Sequence, residues 1–236
     1  RVHTAYEMWV NGELVAGAGT VGENPEDSEP RYMPQIVLFE SRAGVNEILI
    51  NVSNFHHRSG GMLESVQMGS EENILRMQTG SLARELILFG SLVTIGFYHL
   101  ALYIFRKKNR SSLYFGLFSV LVGIRTLLVG QRFFSFLFPD FSWEIAHKIQ
   151  TLSYYLGVPI ILMFFLSMYP GYFHGKVIRT AQIIGSGFGL LVLLSPARVF
   201  TPFNPVYQIW TVLTILYVMT GLVRLTARKE KGSWYV

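Results

Sequence analysis

Apolar and polar positions alternate in the first third of this chain, and after residue 85 the apolar ones run together. Residues 86–105 form an apolar block of roughly 20 residues, the length a helix needs to cross a hydrocarbon core at 1.5 Å per residue. The pattern therefore predicts a membrane span at 86–105, followed by further spans at 112–129, 152–168, 177–194 and 207–222. Between them, residues 131–143 are too aromatic and too proline-broken for a helix interior and read as an outer loop. Residues 169–175 read as a tight inner turn and 196–205 as a second outer loop.

Individual residues refine these spans. Pro159 removes a backbone donor within the third, which predicts a kink. Gly185 and Gly189 stand in G-x-x-x-G register in the fourth, so another backbone can come close there. That register fits packing inside the chain's own bundle, and it also fits a homodimer. Arg125 interrupts the second span in its outer third, where it reads either as an interior, coupling residue paired within the bundle or as a cation snorkelling to the outer headgroups. His99, in the first span, is a second candidate for intramembrane coupling, with a hydrogen-bonded packing role as the alternative.

Charge sets the expected orientation. Arg106, Lys107, Lys108 and Arg110 follow the first span, and Arg224, Arg228, Lys229 and Lys231 follow the fifth, against Arg84, Arg132, Lys148 and Arg198 at the opposite ends. Cations crowd the cytoplasmic ends of spanning helices, so the N-terminal part is expected outside. The same topology explains the net charge of +5 and argues against nucleic-acid binding, since no RNP, zinc-finger or basic-helix pattern surrounds the cations.

Before residue 80 the periodicity is that of strands. Tyr6, Met8 and Val10 alternate with other residues, and Asn11-Gly12 supplies a pair suited to a type I′ hairpin turn before residues 13–16 run back. Residues 35–39 and 46–52 predict two further strands. Residues 23–30 (ENPEDSEP) read as a solvated loop, because the EF-hand spacing of oxygen ligands is absent.

The candidate chemistry outside the membrane lies at Asn54, Phe55, His56, His57 and Arg58, before Gly60-Gly61. Neighbouring His side chains on a strand point to opposite faces and no third ligand is evident, so no metal is expected. The favoured reading is a loop that closes the sheet with Gly60-Gly61 as its turn; the alternative is that, with Trp9, it lines a groove for a small polar ligand. The chain holds no cysteine, which excludes disulfides and thiol catalysis. No Ser/His or paired-carboxylate arrangement in the spans supports hydrolysis, and neither an enzymatic role nor a cofactor is expected. Residue 1 is Arg with no export signal before it, and Gly232-Ser233-Trp234 reads as the start of another segment, so the chain is read as a fragment.

Three stretches carry a resemblance: WVNGELVAGAGTVG, INVSNFHHRSGGM and FGSLVTIGFYHLALYIFRKKNRSSLYFGLFSVLVGIRTLL. In this order they resemble the bacterial seven-transmembrane receptors with diverse intracellular signalling modules. The resemblance implies a multi-domain membrane protein of the bacterial inner membrane. Residues 1–80 would be part of an extracytoplasmic jelly-roll β-sandwich similar to carbohydrate-binding modules, and residues 81–236 a transmembrane α-helical bundle with five of seven helices. It implies a receptor that couples a small polar or saccharide ligand outside to a cytoplasmic effector carried in cis, beyond Val236. The alternative class is a transporter or membrane-embedded enzyme with an accessory outer domain, which predicts paired ionisable groups or broken helices in repeated halves.

Overall fold

The computed structural model describes residues 2–62 and 64–227, so Arg228, Lys229, Lys231 and the 232–236 segment lie outside the described residues. The chain divides into two compact units. One gathers the residues up to 87 with 126–147 and 196–201; the other holds 88–125, 148–195 and the chain from 202 onward.

The first unit is built on a three-stranded antiparallel sheet of β1 (Ala5–Val10), β2 (Glu13–Ala18) and β3 (Ile48–Ser53), in the order β2-β1-β3. The expected hairpin forms at Asn11-Gly12, where both residues take positive φ (52° and 86°), the conformation a two-residue turn of this type requires. A bulge falls between Met8 and Trp9, so β1 pairs Met8 with Ala16 but Trp9 with Leu14. β1 pairs with β3 in unbroken register from Ala5 and Ser53 to Val10 and Ile48.

Residues 35–39 are not a strand, contrary to the pattern. They follow Pro34 and find no ladder partner. Gln35 Nε2 donates to the Gly17 carbonyl at 2.7 Å, while Ile36, Val37, Leu38 and Phe39 turn their apolar surface into a cavity wall. The third strand starts at Ile48 and not at residue 46, because Asn46 is used in the preceding turn, donating to the Arg42 carbonyl and accepting from the Arg42 N–H, each at 2.9 Å.

Among the described residues, five helices are long and apolar enough to cross a membrane. They are α1 (Glu71–Phe105), α2 (Arg110–Leu128), α4 (Trp143–Met168), α5 (Gly175–Leu194) and the stretch 197–227, which comprises α6 (Ala197–Phe200), a 3-10 turn and α7 (Asn204–Ala227). The short α3 (Phe133–Leu137) lies in the aromatic loop. α1 begins well before residue 86: its first turns are polar and carry Glu71 and Glu72 at the positive end of the helix dipole, a start that hydropathy does not register.

Inside the second unit, glycines bring helices together. A Cβ on Gly116 would stand 2.9 Å from the Gly96 carbonyl, so α1 and α2 touch backbone to backbone. A Cβ on Gly185 would meet the Pro159 ring at 3.0 Å, and Gly189 faces Leu152 and Leu156, which assigns the G-x-x-x-G face of α5 to α4 of the same chain. Tyr155, Tyr207 and Phe188 pack ring on ring beside it, with Tyr155 and Tyr207 fully buried. Leu162, Phe173, Ile178 and Ala181 form a core near the turn at 169–175.

Candidate functional site

The sequence folds the first unit around a buried cluster of rings. Trp143 and His147 are four residues apart on α4 and therefore share one face of its first turns. Their rings stack at 5.4 Å, nearly parallel, and His147 also stacks on Phe200 at 5.7 Å. The edge of His57 meets His147 at 5.0 Å, and His3 lies over His57 at 4.3 Å. Trp143 Nε1 donates to the His3 carbonyl at 2.9 Å, and the Arg58 N–H donates to Thr201 Oγ1 at 3.1 Å.

Tyr32 stands at the centre of this cluster. Its hydroxyl lies 2.8 Å from His3 Nδ1 and 3.3 Å from His147 Nδ1, and the Arg132 guanidinium covers its ring at 3.3 Å from the centroid. Arg132 Nη2 also donates toward His3 Nδ1 at 3.3 Å, so that nitrogen is an acceptor and His3 is neutral. With the hydroxyl proton given to His3, the Tyr32 oxygen is left to accept from His147. Burial pushes the His3 pKa down to about 3, with His57 and Arg132 adding to the effect. Burial lowers His57 as well, against an opposing pull from Ser59, and raises the Tyr32 hydroxyl.

Two cavities flank Tyr32, each within the first unit. One, of about 370 Å3, is polar and aromatic: Thr20, Glu29, Arg31 and Asp140 face it with Phe138, Phe141 and Trp143. Arg31 donates to the Pro139 carbonyl at 2.8 Å and pairs with Asp140 at 3.3 Å in its wall. The other, of about 400 Å3, lies against the sheet face of Tyr6, Met8, Ile48 and Ile50 and includes Tyr32 and Arg132.

The residues singled out in the sequence fall elsewhere, with one exception. Trp9 points to the opposite face of β1, and neither it nor any residue of 54–58 lines these two cavities. Asn54 closes the loop, accepting from the His57 N–H at 3.0 Å and donating to its carbonyl at 2.7 Å. His56 Nε2 donates to the Ser28 carbonyl at 2.9 Å, while His57 is the exception and enters the ring cluster. No group of three or more His, Asp or Glu side chains is arranged to hold a metal among the described residues.

In the second unit, Arg125 Nη1 donates to the Gln150 carbonyl and the guanidinium lies 5.3 Å from the Tyr154 ring centroid. His99 packs edge-on against Phe115 at 4.7 Å, and its buried Nδ1 makes no hydrogen bond among the described residues. Pattern reading missed His3, Tyr32, Arg132, Trp143 and His147. The one usable signal was the Trp143/His147 spacing at the start of an apolar run, where a buried His needs a partner from outside its own helix.

Residues 83–236 match the model of the family described as 7TM diverse intracellular signalling. No curated protein and no solved structure matches the chain.

Proposed function

Because this chain belongs to the 7TM diverse intracellular signalling family, we propose that it senses a small ligand outside a bacterial inner membrane and passes its occupancy to a cytoplasmic effector carried in cis. One observation carries this reading: Tyr32, in the wall of both cavities, also contacts His147 in the first turns of the membrane-length helix α4. A ligand that displaces the Tyr32 ring changes the partners of α4 at its beginning, and that difference in contacts is what an allosteric signal needs. The polar cavity supports a saccharide or similar polar ligand, since the Glu29 and Asp140 carboxylates and Thr20 can bond hydroxyls while the rings of Phe138 and Trp143 offer faces to a sugar. The sheet is read as part of a jelly-roll-like module placed outside, with residues 106–110 in the cytoplasm.

Orientation and coupling are tested together in the full-length receptor. In intact cells an impermeant thiol reagent is expected to label a cysteine at Val45, which is 93% exposed, and to spare one at the exposed Asn109. Tyr32→Phe is expected to bind the activating saccharide from a glycan panel and to lose most of the effector response. Inverted labelling, or a Tyr32→Phe receptor that responds as the parent does, rejects the reading.

A further inference from the structure

Contacts inside the second unit bring several helix ends together. α1 and α2 run antiparallel, since a Cβ on Gly116 would meet the Gly96 carbonyl and one on Gly123 would meet Val93. The ring of Phe115, near the start of α2, lies 5.3 Å from that of Phe164, near the end of α4. α5 returns along α4, with Gly185 against Pro159 and Gly189 against Leu152. Just before α5 begins, the His174 N–H donates to the hydroxyl of Tyr217, in the second half of α7, at 2.8 Å. The ends of α1, α4 and α7 and the beginnings of α2 and α5 therefore share one end of this bundle.

That end is cationic throughout. Arg106, Lys107, Lys108 and Arg110 line the turn from α1 into α2, Lys176 and Arg179 stand in the first turns of α5, and Arg224 in the last turn of α7. All are exposed, and none forms an ion pair or side-chain hydrogen bond among the described residues. The unit supplies no counter-charge either, because 88–125, 148–195 and 202–227 contain no Asp or Glu. Beyond them the sequence adds Glu230, among Arg228, Lys229 and Lys231. The unit's cations at the opposite end are spent within the protein: Arg125 donates to the Gln150 carbonyl, and Lys148 reaches the Leu193 carbonyl at 3.5 Å.

Cations beside a spanning helix guide its insertion, but in the finished protein the same charges repel one another and need partners. Each is held by the chain at the end of a membrane-length helix, and Lys and Arg extend their heads to the interface. The nearest fixed anions there are lipid phosphates, and a lipid with no ammonium group of its own leaves that charge uncompensated. We propose that this end of the bundle binds the headgroups of anionic phospholipids in preference to zwitterionic ones. The surface lies beyond the sensor reading, since it needs neither an outer ligand nor an effector.

The test uses the full chain in phosphatidylcholine nanodiscs, photolabelled with a trace of phosphatidylglycerol or phosphatidylcholine that carries a diazirine just below the glycerol. In peptides covering 98–116, 168–183 and 216–227, phosphatidylglycerol is expected to label roughly fivefold more than phosphatidylcholine at low salt, the factor that one cation at a charged surface supplies. The ratio should fall toward one at about 1 M salt, where screening acts within a few ångströms. Changing Arg106, Lys107 and Lys108 together to Gln should abolish the preference in the first peptide, and Lys176→Gln with Arg179→Gln in the second. Exchange of the same lysines for Arg should keep it, and so should Lys148→Gln at the opposite end. Equal labelling by the two lipids at low salt, a preference that ignores salt, or one that survives both sets of Gln changes overturns the surface. Glycerol 3-phosphate at matched ionic strength should not compete; if it does, the cations take a soluble phosphate ester and the lipid source is wrong. The salt series on the unaltered chain reads the result even where a variant fails to insert. Labelling needs no effector output, so its failure leaves the sensor reading standing, and the converse holds.

Discussion

The Tyr207 hydroxyl donates to the backbone carbonyl of Tyr155 at 2.6 Å. Tyr155 precedes Pro159 by four residues, so this is the carbonyl that the proline leaves without its helical N–H. A side chain of α7 thus completes the hydrogen bonding of α4, and Gly185 of α5 keeps the space open, since its Cβ would stand 3.1 Å from the same carbonyl. A helix can hold a proline in a membrane when a neighbour supplies the missing donor in this way.

That pairing makes a double-mutant cycle decisive. Tyr207→Phe should destabilise the parent by about 1–3 kcal/mol, the usual cost of leaving a buried acceptor unsatisfied. In a Pro159→Ala background, where the residue 159 N–H is restored, the same change should cost less than about 0.5 kcal/mol beyond lost packing. Thermal unfolding of the four proteins in one lipid composition measures the difference. Equal losses in both backgrounds would show that Tyr207 acts through packing alone.

Arg125 is expected to behave as an interior anchor. Its donor reaches the Gln150 carbonyl and its face lies near Tyr154, two contacts that a lysine cannot make together. Arg125→Met and Arg125→Lys should both insert and both lose roughly 1–3 kcal/mol of stability, and Tyr154→Leu should remove about 0.5–2 kcal/mol of that by itself. Melting curves that match the parent for Arg125→Met would return this residue to simple snorkelling.

Close contact and open space predict opposite outcomes for two glycines. Gly116→Ala pushes a Cβ against the Gly96 carbonyl, which cannot move without shifting α1, and should cost about 1–3 kcal/mol. Gly187 has nothing within 4 Å of its Cβ position, so Gly187→Ala should leave stability unchanged or raise it by up to about 1 kcal/mol. Unfolding midpoints of the two variants, measured side by side, check both.

Acid should loosen the ring cluster. The His3 pKa falls from an unfolded value of 6.5 to about 3, and His57 is lowered in the same sense, so folding keeps both neutral. Their contribution is complete above about pH 6.5 and is lost progressively as the pH falls from there toward 3, because the unfolded chain binds the protons first. The melting temperature of the first unit should decline through this window, and the decline should flatten in His3→Gln. A profile that does not change between pH 7 and 5 would contradict the cluster's protonation state.

Membrane spans were legible because a block of apolar residues has few other solutions, and the hairpin because Asn11-Gly12 specifies its own turn. Residues 35–39 misled because β-branched and aliphatic character describes a half-buried extended surface whether or not a strand lies beside it. The ring cluster was illegible for another reason: it joins His3, Tyr32, Arg132 and His147 across more than a hundred residues, and no local period encodes such a meeting. The loop at 54–58 attracted attention by its chemistry, yet only His57 of it reaches that meeting place.

The contact of Gly96 with Gly116 has a consequence for how the protein is made. These residues are twenty apart in sequence, and the Glu85 carboxylate finds its Gln131 partner only 46 residues on. Both links join residues that precede α4 in the chain, so neither needs α4 as a partner, and α1 and α2 can close as a helical pair with the carboxylate at its edge bonded. Backbone meeting backbone requires no side chain to find its rotamer first. The later helices then assemble onto a hairpin that exists, and insertion order becomes part of the fold's specification.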